Sequence, residues 1–135
     1  MISSHVGRLD HVGIAVRDAD AAIPYYRDAL GFPVVGDEIA TDPGVRLVYL
    51  DAGNAFIQLV EPVRDDAPVA IWLRTHPEGL HHVCFRTDDL RACERELNGP
   101  GDSSIFRAGR GDNAFFLTTE PSNTKIEIVG PPVVE

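Results

Sequence analysis

Two histidines occupy matching places in two similar stretches of this chain. His11 lies in the run from Leu9 to Val16, and His82 in the run from Gly79 to Phe85, 71 positions further on and about half the 135-residue length. Both runs read as β-strands, in which side chains alternate between faces. His82 and Cys84 therefore share one face, while His81, Val83 and Phe85 share the other, which reads as helix-backed core. A later strand in each half adds a polar residue. Alternation sets Gln58 and Val60 apart from Ile57 and Leu59, and Glu127 apart from Ile126 and Ile128. A polar side chain that interrupts an apolar strand is costly unless it has a partner. Two imidazoles, one carboxylate and one amide are thus expected to form one site. That donor set suits a divalent ion with open positions for a chelating substrate, on which it would act as a Lewis acid.

The four residues do not weigh equally. Gln58 is the weakest ligand, because a neutral amide binds transition metals poorly and could instead hydrogen-bond a substrate. Glu127 is the one carboxylate that alternation places at the site, so it is also the candidate general base. His81 faces away and reads as structural. Cys84 shares the face of His82, with packing as its expected role. Glu61 falls on the face opposite Gln58 and is set aside.

The elements that must position these residues follow from local pattern. The strand from Leu9 to Val16 leads into a helix capped by Asp18, with Ala19, Ala22, Ile23, Tyr26 and Leu30 as its apolar stripe. Pro24 should kink that helix or delay its start. Strands are expected from Pro33 to Thr41, Val45 to Leu50 and Ala55 to Glu61, with a hairpin turn at 51–54. A linker follows, carrying a short helix from Ala67 to Arg74. The program then repeats. A strand from Leu80 to Arg86 feeds a helix capped near Thr87 or Asp88, with Leu90, Cys93 and Leu97 inward, and Asn98-Gly99-Pro100-Gly101 ends it. Three strands close the second half, at Ser103 to Arg107, Asn113 to Thr118 and Lys125 to Val129. The expected fold class is α+β, with two tandem βαβββ modules forming a curved, mostly antiparallel sheet and both helices on its convex side. The whole chain, 1–135, is expected to be a single domain, with module one over about 8–62, a linker over about 63–78 and module two over about 79–130.

Composition narrows the function classes. Lys and Arg total 12 against 21 Asp and Glu, a net charge of −9, which argues against nucleic acid as a partner. Arg107, Arg110 and Lys125 read more simply as solvated surface than as a phosphate patch. No apolar run approaches membrane-spanning length and no signal segment opens the chain, so a cytoplasmic address without membrane association is expected. Cys84 and Cys93 are the only cysteines and read as buried thiols, which fits a reducing compartment.

These stretches resemble the vicinal oxygen chelate superfamily, which contains glyoxalases, extradiol dioxygenases, bleomycin-resistance proteins and methylmalonyl-CoA epimerases. The resemblance is greatest to the epimerases. It is carried by Leu-Asp-His-Val-Gly-Ile-Ala-Val from Leu9, Tyr-Tyr-Arg-Asp-Ala-Leu-Gly from Tyr25 and Gly-Val-Arg-Leu-Val-Tyr-Leu from Gly44. Gln-Leu-Val-Glu-Pro from Gln58 and Glu-Gly-Leu-His-His-Val-Cys-Phe from Glu78 complete it. It implies a glyoxalase-like fold and metal ligands His11, Gln58, His82 and Glu127. It also implies a divalent ion (cobalt, manganese, nickel, zinc or iron) and proton abstraction alpha to the carbonyl of a small-molecule substrate, an acyl-CoA thioester. A homodimer is expected. Two departures stand out. Leu47 replaces a glutamate that some of these epimerases use as a second base, and the segment 109–124 differs from the family pattern. An iron dioxygenase or glyoxalase-type lyase of the same fold, and a metal-free binding protein, remain the alternatives.

Overall fold

The computed structural model describes residues 6–133. They fall into two compact units. The first is His11–His81, and the second joins the stretch up to Asp10 to everything from His82 onward. The strands are β1 (Val6–Ala15), β2 (Val34–Ala40), β3 (Val45–Asp51), β4 (Phe56–Pro62), β5 (Gly79–Thr87), β6 (Phe106–Arg107), β7 (Asn113–Phe116) and β8 (Ile126–Gly130). The helices are α1 (Ala19–Pro24), α2 (Pro68–Leu73) and α3 (Leu90–Asn98).

Within the first unit the strand order is β2-β3-β4-β1, and within the second it is β5-β8-β7-β6. The histidine-bearing strand pairs in parallel with the last strand of its own module in both cases, β1 with β4 and β5 with β8. The remaining pairs, β2 with β3, β3 with β4, β6 with β7 and β7 with β8, are antiparallel. The expected α+β class and mostly antiparallel pairing hold.

Each unit has two apolar faces, sorted by strand alternation. In the first, Ile14, Val48, Leu50 and Leu59 pack on Ala19 and Ile23 of α1. The other face carries Ala15, Val45, Leu47, Tyr49 and Val60, covered in part by Val69 and Leu73 of α2. In the second unit Phe85, Phe115 and Ile128 pack on Leu90 and Cys93 of α3, while Cys84, Ala114 and Val129 line the opposite face. So the four expected site residues emerge on the faces that α1 and α3 do not cover.

Several local expectations need correction. Pro24 does not delay the helix, which already starts at Ala19, but disturbs the run at its own position. It has no N–H for the preceding turn, and the chain continues as a single π-turn over Tyr25–Ala29, closed by the Leu30 N–H on the Tyr25 carbonyl at 3.0 Å. The apolar stripes end early, since Leu30 is 47% exposed and Leu97 36%. The cap of α3 is Asp89, which accepts from the Ala92 N–H at 3.1 Å, rather than Thr87 or Asp88. Ser103 to Arg107 yields only the two-residue β6, because the Ser104 N–H and hydroxyl are drawn to the buried Glu94 carboxylate on α3, at 2.7 and 3.0 Å.

One close approach fixes how β8 ends. A Cβ at Gly130 would stand 2.6 Å from the Thr87 carbonyl oxygen, backbone that no rotamer change can move. Gly130→Ala should therefore destabilise the protein by about 1–3 kcal/mol, as overpacking does. Urea denaturation followed by far-UV circular dichroism measures it.

Candidate metal centre

The first unit holds two of the four expected residues, His11 and Gln58. His11 is 2% exposed, and its ring lies edge-on to that of Tyr49, with centroids 6.1 Å apart at 88°. Tyr49 on β3 stands directly across from Gln58 on β4. The Gln58 Nε2 donates to the Tyr49 hydroxyl at 2.9 Å. The Gln58 Oε1 is buried and has no hydrogen-bond partner among the described residues. A buried carbonyl oxygen left so is unusual in a folded protein and marks a place for something else to bind.

The second unit holds the other two, His82 and Glu127. His82 and Glu127 are both buried, with His82 Nε2 3.3 Å from Glu127 Oε1. Phe116 on β7 stands directly across from Glu127 on β8, and its ring lies edge-on to His82, with centroids 5.7 Å apart at 88°. Phe106 stacks on Phe116 at 5.8 Å. The Lys125 ammonium sits 5.4 Å from the Phe116 centroid and pairs with Glu120 at 3.3 Å.

The residues set aside from sequence fall where alternation put them. Glu61 points to the α1 side, accepting from the Ala19 N–H at 3.2 Å and lying 3.6 Å from Arg46. His81 is edge-on to Trp72 at 5.0 Å, and Trp72 stacks on His76 at 4.2 Å. Cys84 is fully buried, and that burial, with the nearby Glu127 and Asp10 carboxylates, pushes its thiol pKa far up. A thiol held protonated is a packing group rather than a nucleophile.

Sequence reasoning missed three features. Asp10 is a buried carboxylate that binds two guanidiniums, Arg86 at 3.1 Å and Arg110, and Arg86 also reaches Asp112 at 3.2 Å. This network anchors the turn 109–111, where Arg110 adopts φ +59. Arg110 and Lys125 thus already have anionic partners and do not form a phosphate patch. A cleft of about 750 Å³ lies elsewhere in this unit, lined by Arg91, Ile105, Arg107 and Asn113. Phe106 lines this cleft too, so the ring stacked on Phe116 forms part of its wall. The third feature is Glu38. Leu47 is buried, and its cross-strand partner on β2 is Glu38, which shares its face and is exposed. Alternation along Val34–Ala40, combined with the hairpin register, is the signal that would have found it.

Buried histidine–carboxylate and histidine–amide pairs on repeated βαβββ modules define a class of metal-binding fold, and comparison places the chain within it. Residues 10–117 match the Glyoxalase/Bleomycin resistance protein/Dioxygenase superfamily. The chain belongs to that family. It is 36% identical over 97 residues to the ethylmalonyl-CoA/methylmalonyl-CoA epimerase of Cereibacter sphaeroides, covering 71% of this chain and 72% of the relative. The crystal structure of methylmalonyl-CoA epimerase from Mycobacterium tuberculosis matches with a TM-score of 0.85 at 32% identity, over 98% of this chain and 93% of the other. A methylmalonyl-CoA epimerase in complex with methylmalonyl-CoA and NH4+ matches with a TM-score of 0.81 at 33% identity, over 97% and 99%.

The Asp10 network gives a stability test of its own. Asp10→Ala would leave two guanidiniums, each about a quarter exposed, without their shared carboxylate. Removing one member of a buried ion pair is strongly destabilising, so a loss of about 3 kcal/mol is expected in equilibrium unfolding.

Proposed function

We propose that this chain is a metal-dependent epimerase. It removes and returns a proton at the carbon alpha to the carbonyl of an acyl-CoA thioester, with a methylmalonyl-CoA-type compound as substrate. The observation that carries the metal is the buried Gln58 Oε1 without a hydrogen-bond partner. An oxygen in that state fits a cation and not a surrounding of apolar side chains. His11, Gln58, His82 and Glu127 would hold the ion. When bound, a divalent ion supplies Lewis-acid stabilisation of the enolate that α-proton loss creates.

The chain's own residues account for the rest. Both imidazoles are neutral donors, and each ring is held edge-on by an aromatic neighbour. Glu127 brings the negative charge and is the candidate base, its carboxylate steadied by His82. Leu47 and Val60 in the first unit, and Ala114 and Val129 in the second, make each ligand-bearing face apolar around its polar residues, a setting that keeps water from a carbanion. Inversion needs a proton delivered to the opposite face of that carbon. Leu47 cannot give one, and Glu38, its partner across the hairpin, is the carboxylate we assign to that role. Among the described residues no helix is long and apolar enough to cross a membrane.

Incubating the protein with methylmalonyl-CoA in deuterium oxide tests the reaction, with metal-dependent label incorporation at the α-carbon as the expected result. Glu127→Gln should cut exchange by about 10²–10⁴-fold, the usual loss of a general base. Full exchange in that variant with metal retained would remove Glu127 as the base. Glu38→Gln should slow inversion more than exchange, since only the second face is affected. Metal content by plasma emission should fall in His82→Ala and Glu127→Ala, and less in Gln58→Ala. Oxygen consumption with ferrous iron, in place of exchange, would make the protein a dioxygenase.

A further inference from the structure

We infer that Tyr49 is a positioning residue whose hydroxyl sets which end of the Gln58 amide faces the metal, and that Phe116 fills the equivalent place beside Glu127 with no hydroxyl because a carboxylate has no wrong end. The inference rests on the ligand set proposed above.

The two aromatic residues occupy corresponding places in the repeat. Tyr49 is the direct cross-strand partner of Gln58, and Phe116 is the direct cross-strand partner of Glu127. Each lies edge-on to its own module's histidine, at 88° in both cases, with centroids 6.1 and 5.7 Å apart. The repeat therefore keeps an aromatic wall behind each histidine and beside each last-strand ligand. It differs in one atom, the tyrosine hydroxyl.

That hydroxyl stands where the chemistry of the neighbouring ligand calls for it. A carboxylate presents an acceptor oxygen whichever way it turns. An amide presents an acceptor at one end and two donors at the other, and donors aimed at a cation repel it. The Gln58 amide has its Nε2 on the Tyr49 oxygen at 2.9 Å, so Oε1 is the end left without a protein partner. Tyr49 is 1% exposed, so the arrangement is shielded from competing water. Groups that orient a metal ligand in this way typically change metal affinity by about 10–100-fold when removed.

The experiment pairs Tyr49→Phe with Gln58→Glu and titrates cobalt, manganese and zinc into each protein. Tyr49→Phe should weaken metal binding by about 10–100-fold when residue 58 is glutamine. It should leave affinity unchanged in the Gln58→Glu background, where nothing needs turning. A merely structural role for Tyr49 would lower affinity equally in both backgrounds, and that outcome, or no effect in either, would overturn the inference. A second measurement needs no metal. In the NMR spectrum of the metal-free protein, one Gln58 Nε2 proton should be shifted downfield and slow to exchange, and Tyr49→Phe should abolish both properties. An unchanged amide signal in that variant would also overturn the inference. If the unaltered protein bound none of the three ions, the ligand reading itself would fail, while the amide signal would still decide whether Tyr49 orients Gln58.

Discussion

Burying a polar side chain on an apolar strand requires a partner for every donor and acceptor it carries, and this requirement governs the whole arrangement. His11, Gln58, His82 and Glu127 are all nearly inaccessible to solvent. Their faces cannot also be the faces that helices cover, because α1 and α3 bring only apolar side chains inward at those contacts. Strand alternation separates the two demands. Ile14, Leu59, Phe85 and Ile128 go to the helices, and the intervening residues turn the polar groups the other way. The parallel pairing of first and last strand in each module then sets a histidine-bearing strand beside its module's second polar residue.

Much of this was legible in the sequence because it is local. A period of two assigns faces one strand at a time, and it put His11, Gln58, His82 and Glu127 on faces that α1 and α3 leave uncovered and Glu61 on the α1 side. Pairings between distant segments were not legible. Nothing near Asp10 announces that two arginines will bind it, from 76 and 100 residues further along the chain. The competition between Glu94 and the strand at Ser104 is of the same kind, a side chain outbidding the ladder from another element. Cross-strand register is what shows that Tyr49 faces Gln58 and Phe116 faces Glu127. Pro24 was read correctly as a disturbance, but the π-turn that absorbs it depends on how the following residues pack.

The two departures from the family pattern acquire physical content. At Leu47 the chain places an apolar side chain in a buried, apolar setting, so a carboxylate there would need a partner that the first unit's core does not offer. In the segment 109–124, the turn at Arg110 is tied down by ion pairs to Asp10 rather than by glycines alone. That turn leads directly into β7, the strand carrying Phe116, so its anchoring also steadies the aromatic wall behind His82.

The unequal pair Gln58 and Glu127 carries a consequence for how such a repeat can evolve. Two separate copies of one module, related by a two-fold axis, would have to contribute identical residues, either two amides or two carboxylates. Fusion into a single chain releases each copy to diverge, and here one copy supplies an amide and the other an anion. A divalent ion held by the proposed ligands, with imidazoles adding no charge, would keep one unit of positive charge, where a carboxylate pair would cancel it. The symmetry broken between the modules would then be an electrostatic setting, leaving a residual charge to attract an anionic compound into a protein whose net charge is −9.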